Sequence, residues 1–334
     1  MQLFTEKKPH IKSKDTTNII MADVLIAMMF LVVLSFLYFG IRALIIILTS
    51  VVTCYILDVI AFSIKNKMFI VADMSSIVTG VIISLLMPAN IPLYVLITCC
   101  VFSILIIKQC FGGLGQNIFN PAAGGVAFAT LCWPDLIFTY PIPEIAAKSE
   151  SIAQNVCYTL KLGGHPTITI MDMLLGKQPG PIGTVHILVI ISCVTWLIIR
   201  RAVYLPSIVS FILSAAFIAF LFPRIHSARL LSVAYELFSG SLLFGCVFMV
   251  TDPVTAPKYS VAKTIYGAII GVLTMVFRYF GGFSQGLYFA ILLGNSISFS
   301  LDRLTYKDYN SNGGFFKLQN YIKSKLMFKK NVVI

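Results

Sequence analysis

The chain has 334 residues, of which 58% are apolar and only 11% are charged. Soluble proteins carry about 25% charged residues, so this composition excludes an ordinary soluble enzyme and favours a membrane interior as the main solvent. The formal net charge of +12 would favour nucleic-acid binding in a soluble domain. Here the basic residues lie between apolar runs and at the two ends of the chain. That placement is typical of a membrane topology signal, and we expect no nucleic acid as a partner.

Ten apolar segments of spanning or near-spanning length follow one another: 19–39, 42–64, 76–89, 91–109, 118–133, 185–200, 203–222, 236–251, 262–277 and 284–301. Several are shorter than the roughly 20 residues that cross a bilayer. Because glycine and proline interrupt them, some are expected to be broken or re-entrant helices. The sequence therefore predicts an all-α polytopic membrane protein with about ten transmembrane helices.

The basic residues predict an orientation for these helices. If the N-terminus is cytoplasmic and sides alternate, most of the 25 basic residues fall inside, which favours two cytoplasmic termini. Seven fall outside: Arg42, Lys148, Lys161, Lys177, Arg224, Arg229 and Arg278. The predicted organisation is a cytoplasmic arm (1–18), a five-helix unit (19–133), an extracytosolic connection (134–184), a second five-helix unit (185–301) and a basic cytoplasmic tail (302–334). The lysines of the tail could equally contact membrane lipid.

A short glycine-rich motif occurs twice. The sequence from Phe111 to Gln116 (the first corner) recurs from Phe280 to Gln285 (the second corner), each shortly after a basic residue. Five helices per unit would turn the second copy upside down, which is the inverted-repeat plan of transporters. We therefore expect the corners to face opposite sides of the membrane. Tight helix connections would explain either corner alone, but the shared glutamine argues against coincidence.

Some polar residues stand out against the apolar background. Asp58 lies inside the second apolar run, where an ionisable side chain costs at least about 2.5 kcal/mol at mid-bilayer and marks a functional candidate. Its alternative is a structural pair with a lysine near the cytoplasmic end. Asn117 and Asn120 follow the first corner, and Asp252 ends the eighth run. Polar groups at broken helix ends can contact ions or anionic cofactors, although simple helix capping would also explain them.

Other chemistry is not indicated by the sequence. Most of the eight cysteines lie inside apolar runs, without a Cys-x-x-Cys pair or clustered histidines, and we interpret them as small core residues. The sequence contains no nucleophile-and-base arrangement, no Walker-type phosphate loop and no dinucleotide fingerprint. We therefore predict no metal ligand and no catalytic side chain.

Four segments, 9–17, 111–122, 251–255 and 278–282, resemble the D subunit of the Rnf complex. The resemblance runs from about Lys7 to Arg303, and the string Gly-Gln-Asn-x-Phe-Asn-Pro at 115–121 is its most specific part. The B subunit of the sodium-pumping NADH:quinone reductase is similar too, but the short N-terminal arm favours the Rnf family.

The resemblance implies a membrane subunit of a complex that couples electron transfer between reduced ferredoxin and NAD to the pumping of Na+ or H+. It implies the bacterial inner membrane, the other Rnf subunits as partners and a urea-transporter-like fold. It also implies FMN as an electron relay, joined through its phosphate to a threonine in a Ser-x-Ala-Thr motif on the extracytosolic side.

The long connection departs from that pattern, because it has no Ser-x-Ala-Thr sequence. The nearest candidate for a covalent link is Thr159, followed by Thr167 and Thr169; the absence of any covalent flavin is the other outcome. The residues expected to line the flavin are Gly112, Gly113, Asn117, Asn120, Asp252, Gly281 and Gly282.

Two further functions share the hydropathy pattern. One is a flavin-free solute channel or carrier with the same inverted-repeat shape. The other is a structural anchor for soluble redox partners, which the basic arms and the missing threonine motif favour. Flavin binding distinguishes the redox-driven pump subunit from both of these functions.

Overall fold

The computed structural model describes residues 17–66, 73–141, 155–225 and 228–311, and all of their regular elements are helices. The helices are α1 (Thr17–Asn66), α2 (Met74–Leu86), α3 (Leu93–Val101), α4 (Pro121–Cys132), α5 (Pro134–Ile137), α6 (Val156–Lys161), α7 (Ile170–Leu174), α8 (Ile187–Ile199), α9 (Leu205–Leu221), α10 (Arg229–Phe238), α11 (Leu242–Phe248), α12 (Ser260–Phe280) and α13 (Leu287–Ser311). A π-helical stretch, Phe102–Gln109, continues α3. Most of the N-terminal arm and of the C-terminal tail lies outside the described residues.

Helix α1 contains a chain reversal at Gly40. The backbone there has φ 68° and ψ −160°, a conformation that a residue without a Cβ adopts at little cost. Met21, near the start of α1, lines the same cavity as Lys108, and Lys108 Nζ lies 2.9 Å from Asp58 near the end of α1. Both ends of α1 therefore lie together, and its two arms are the helices predicted at 19–39 and 42–64.

Small residues allow close helix packing in the first half of the chain. A Cβ added to Gly80 of α2 would lie 2.8 Å from the Cα of Val51, and the Ser50 hydroxyl donates to the Gly80 carbonyl at 2.7 Å. Close backbone approach at glycine and serine is the usual packing mode of helices in membranes.

The second half repeats this mode between α9 and α12. A Cβ on Gly267 would overlap the Ser207 carbonyl oxygen, and one on Gly271 would lie 2.5 Å from the Phe211 carbonyl oxygen. The glycines thus bring the two helix backbones into direct contact.

The predicted helix at 236–251 is wrong in its bounds. Helix α10 already begins at Arg229, and the chain bends by 55° between α10 and α11. The bend falls at Ser239 and Gly240, where Gly240 has φ 66°. A left-handed backbone ends a helix, so the segment is a broken pair and not one span.

Length and composition qualify two described helices as membrane spans, Thr17–Lys65 and Ser260–Phe280, or three spans if the bent pair α10–α11 is counted as one. The first of these contains the reversal at Gly40. Five further apolar helices are shorter, with 10–17 residues. The described part of the chain is therefore an all-helical bundle with several apolar helices, many of them interrupted.

The two corners lie at opposite ends of this bundle. Lys65 at the end of α1 donates to the Gly112 carbonyl of the first corner. Helix α4 begins near that end, where Ser103 donates to the Pro121 carbonyl at 2.7 Å. It ends at Trp133, which packs edge-on against Tyr94 at the start of α3. The pocket beyond α4 is lined by Asp135 and by Gly282 of the second corner.

Candidate functional site

The predicted site residues separate into three places. Asn117, Asn120 and Asp252 lie together around a cavity between the two halves, which we call the seam cavity. Gly112 and Gly113 form the first corner beside that cavity. Gly281 and Gly282 belong to the second corner at the other end of the bundle, where Gly282 lines a larger space that we call the outer pocket. One flavin cannot contact all seven residues.

The two halves meet at the seam cavity through buried amides. The Asn120 backbone N–H donates to Asn295 Oδ1 of α13 at 2.9 Å, and Asn295 Nδ2 donates to the Tyr266 hydroxyl at 2.7 Å. The side chain of Asn120 accepts from the Ala123 N–H and caps α4. The capping alternative is therefore correct for Asn120, which also fixes α4 against the second half.

The seam cavity is small and has unused oxygen atoms. Its volume is about 50 Å³, which is room for a few waters at roughly 10–15 Å³ each. The Asp252 carboxylate accepts from Thr255 Oγ1 at 2.8 Å and forms no ion pair within the described ranges. Asn117 Oδ1 is buried without a hydrogen-bond partner there. Carboxylate and amide oxygens suit a hard cation or an ordered water.

Asp58 is paired and does not face the cavity freely. Its carboxylate lies 2.9 Å from Lys108 Nζ, with the two side chains 2% and 3% exposed. Gln109 Nε2 donates to the same carboxylate, and Lys108 also donates to the Ser75 hydroxyl at 2.8 Å. The structural alternative for Asp58, a pair with lysine, is what the structure has. A buried pair of this kind needs both partners, because either charge alone would be uncompensated.

The glycines of the first corner serve the turn. Gly112 and Gly113 have φ 117° and 93°, values that favour glycine. A Cβ on Gly112 would also collide with the Gln116 side chain. Neither glycine lines the seam cavity, whereas Leu114 and Asn117 do.

The outer pocket is large enough for a cofactor. It has a volume of about 610 Å³, within the range of about 300–1,000 Å³ that ligand sites occupy. Phe138 and Phe283 stack with ring centroids 5.7 Å apart, and Tyr140 is another aromatic lining residue.

Polar groups in the outer pocket come mainly from the start and end of α6. Asn155 caps α6 through its side-chain oxygen, but its Nδ2 is buried without a partner among the described residues. Lys161 Nζ donates to the Gly281 carbonyl at 2.8 Å and to that of Gly282. The pocket thus combines flat apolar walls with an unused donor and a cation, which is a set suited to an aromatic anion.

The candidate threonines do not line this pocket. Thr159 is half-buried on α6 and donates to the Asn155 carbonyl at 3.2 Å, while Tyr158 and Lys161 on either side of it line the pocket. Thr169 caps α7 by accepting from the Asp172 N–H, and Thr167 is exposed. The hydroxyl of Thr169 is also the main cause that lowers the pKa of Asp172.

Sequence reasoning missed several residues of the outer pocket, including Asn155, Phe138 and Tyr140. It also passed over Glu236, which is fully buried beside Arg278 at 3.0 Å. Glu236 begins an apolar run, and Asp58 lies within one. An ionisable residue in an apolar run marks a functional candidate, so Glu236 could have been identified in the same way. The aromatic residues had no such signal, because only the fold brings them together.

The described part of the chain belongs to the class of all-helical bundles of apolar, broken helices. It has a polar cavity between its halves and a pocket at one end. Comparison with known proteins then gives the family. A model of the NQR2, RnfD, RnfE family matches residues 4–310, so the chain belongs to that family and is a membrane protein. The resemblance inferred from the motifs is confirmed.

Individual relatives are similar over nearly their whole length. The chain is 29% identical to the D subunit of the Na+-translocating ferredoxin:NAD+ oxidoreductase complex of Acetobacterium woodii, covering 91% of this chain and 94% of the relative. It is 27% identical to the proton-translocating counterpart of Clostridium ljungdahlii, covering 91% and 95%. It is 28% identical to the D subunit of the ion-translocating oxidoreductase complex of Actinobacillus succinogenes, covering 89% and 94%.

Proposed function

We propose that this chain is the D-type membrane component of a redox-driven ion pump that exchanges electrons between ferredoxin and NAD, and that it carries FMN in the outer pocket. Its similarity to the D subunits of such complexes, over about nine tenths of each chain, supports the complex. The single observation that carries the flavin site is the outer pocket itself, with its stacked aromatic wall, Lys161 and the unpaired Asn155 amide.

The residues of the pocket fit this cofactor by chemical type. Phe138, Tyr140 and Phe283 would hold the flat ring, and Lys161 with Asn155 Nδ2 would bind oxygen atoms of the phosphate or the ring. When bound, FMN supplies reversible electron uptake and release, while the protein positions it and keeps water from its ring.

The same proposal includes the membrane arrangement. We infer about ten spans in two inverted five-helix repeats, both termini in the cytoplasm, and the outer pocket on the extracytosolic side of a bacterial inner membrane. The position of the two corners at opposite ends of the bundle supports this, as does the charge pattern. The partners are the other subunits of the complex, membrane lipid, and Na+ or H+ as the transported ion.

The seam cavity is the proposed place for the ion within this chain. Asp252, which has no cationic partner in the described ranges, and the unpaired Asn117 oxygen supply ligands at the interface of the halves. The relatives include both a sodium-translocating and a proton-translocating protein, so the family alone does not choose the ion.

Flavin fluorescence of the full-length chain tests the proposal. We expect the native chain, purified in detergent, to contain one FMN. If Thr159 forms the covalent link, the denatured band fluoresces under ultraviolet light and Thr159→Val abolishes that signal. If the flavin is noncovalent, the denatured band is dark but extraction of the native protein releases FMN.

The matched control is Thr167→Val, an exposed threonine of the same connection. Absence of flavin from both the denatured band and the native extract would contradict the cofactor proposal. That result would favour the structural anchor or the flavin-free channel.

A further inference from the structure

The second corner is held by a buried ion pair. Arg278 Nη1 lies 3.0 Å from Glu236 Oε2, and the side chains are 1% and 0% exposed. Arg278 Nη2 also donates to the Ser239 carbonyl at 3.2 Å. The pair connects the end of α12 to the break between α10 and α11, and within it the two charges balance.

A second guanidinium adds a positive charge to this pair. Arg224 Nε lies 3.4 Å from Glu236 Oε1, and its Nη2 donates to the Arg278 carbonyl at 2.6 Å. Its guanidinium carbon lies 4.2 Å from the centre of the Tyr279 ring. One carboxylate therefore serves two arginines, and Arg224 Nη1 is buried without a hydrogen-bond partner in the described part of the chain.

The excess charge lies on the chain segment that leads into the second corner, because Arg224 contacts Arg278 and Tyr279. Tyr279 precedes Gly281 and Gly282, whose carbonyls accept from Lys161 in the pocket wall. Burial lowers the pKa of Lys161, and the positive charge of Arg224 lowers it further. Among the lining residues that the structure describes, the acidic one is Asp135, which is exposed and therefore screened by water and salt.

We propose that Arg224 is a positioning residue that makes the outer pocket electropositive and raises the reduction potential of the flavin bound there. This inference rests on the proposed function. Reduction adds negative charge to the flavin ring, and a fixed cation in a poorly solvated region stabilises that charge more than water would. Arg224 does not line the pocket. It acts on the flavin through its contacts with the second corner and through the electric field of its guanidinium.

The test is a dithionite titration of the full-length flavin-containing chain in detergent, followed by absorbance. We compare Arg224→Gln and Arg224→Lys with the exposed control Lys177→Gln. Arg224→Gln leaves Glu236 paired with Arg278, so we expect the fold and the flavin to persist. The midpoint potential should shift to more negative values in Arg224→Gln and remain at the wild-type value in Arg224→Lys and Lys177→Gln.

Flavin loss from Arg224→Gln alone would show that Arg224 is needed for flavin binding, which contradicts a role limited to the potential. An unchanged potential in Arg224→Gln overturns the inference, as does a potential in Arg224→Lys that follows the glutamine variant or loss of flavin from both. A wild-type chain without flavin refutes the proposed function itself, and the role of Arg224 falls with it.

Discussion

At the scale of single residues, Asp252 and Asp58 show how similar sequence signals lead to different roles. Asp58 has a buried cation 2.9 Å away, so its charge is already compensated. Asp252 has a threonine hydroxyl as a neighbour and faces the seam cavity. No basic side chain pairs with Asp252 in the part of the chain that the structure describes, so Asp252 is the better ligand for a transported cation.

We therefore predict that Asp252→Asn lowers ion transport coupled to electron transfer on the order of tenfold or more, the scale on which loss of a metal-site partner acts. The measurement is Na+ or H+ uptake into vesicles containing the complex, divided by the electron-transfer rate. Asp252→Glu retains a carboxylate and should recover part of the transport. Asp172→Asn, at an exposed position on α7 that does not line the cavity, is the control and should have no effect. Wild-type uptake by Asp252→Asn would exclude Asp252 from the ion path.

The sequence predicted part of the site at this scale. The grouping of Asn117, Asn120 and Asp252 could be predicted, because helix-breaking polar segments in both halves point to the seam. The separation of Gly281 and Gly282 from that group follows from their position at the other end of the bundle. Thr159 could not be placed from sequence, since its hydroxyl direction depends on the cap that Asn155 provides to α6.

At the scale of elements, contact between α9 and α12 depends on having no side chain at two positions. Gly267 faces the Ser207 carbonyl and the Ser210 hydroxyl, and Gly271 faces the Phe211 carbonyl and the Ser214 hydroxyl. Backbone atoms cannot rotate away as a flexible side chain can. A larger residue must push the helices apart.

We predict that Gly267→Leu destabilises the protein by about 1–3 kcal/mol or more, the usual cost of overpacking. Thermal unfolding in detergent measures this as a lower midpoint temperature. The matched control is Gly282→Leu, with all proteins compared in the flavin-free state because Gly282 lines the outer pocket; a Cβ there has no neighbour within 4 Å. Equal midpoints for the two variants would show that the α9–α12 contact does not depend on the missing side chains.

Helix existence was more predictable than helix boundaries. The lengths of the apolar runs correctly predicted α2, α8, α9, α12 and α13. The end of α10 could not be predicted from hydropathy, because the left-handed backbone of Gly240 sets it. The reversal at Gly40 connects the predicted runs 19–39 and 42–64. Arg42 there donates to the carbonyls of Ala89, Asn90 and Ile91, which satisfies its charge at the bundle end.

At the scale of the whole molecule, both proposed sites depend on how the two halves lie relative to one another. The first corner and Lys65 are at one end of the bundle, and the second corner and Lys161 are at the other. Five spans in each half would place the ends on opposite faces of the membrane. The outer pocket then opens to the extracytosolic side, and the seam cavity lies between the repeats.

Cysteine labelling of the two corners tests this arrangement most directly. In a background where the exposed Cys110 and Cys132 are serine, Gln116→Cys and Gly282→Cys each report one corner to a membrane-impermeant maleimide. We predict that Gly282→Cys labels in cells with a permeabilised outer membrane or wall, and that Gln116→Cys labels only in inside-out vesicles. Labelling of both residues from the same side would contradict the inverted repeat and the location of both sites.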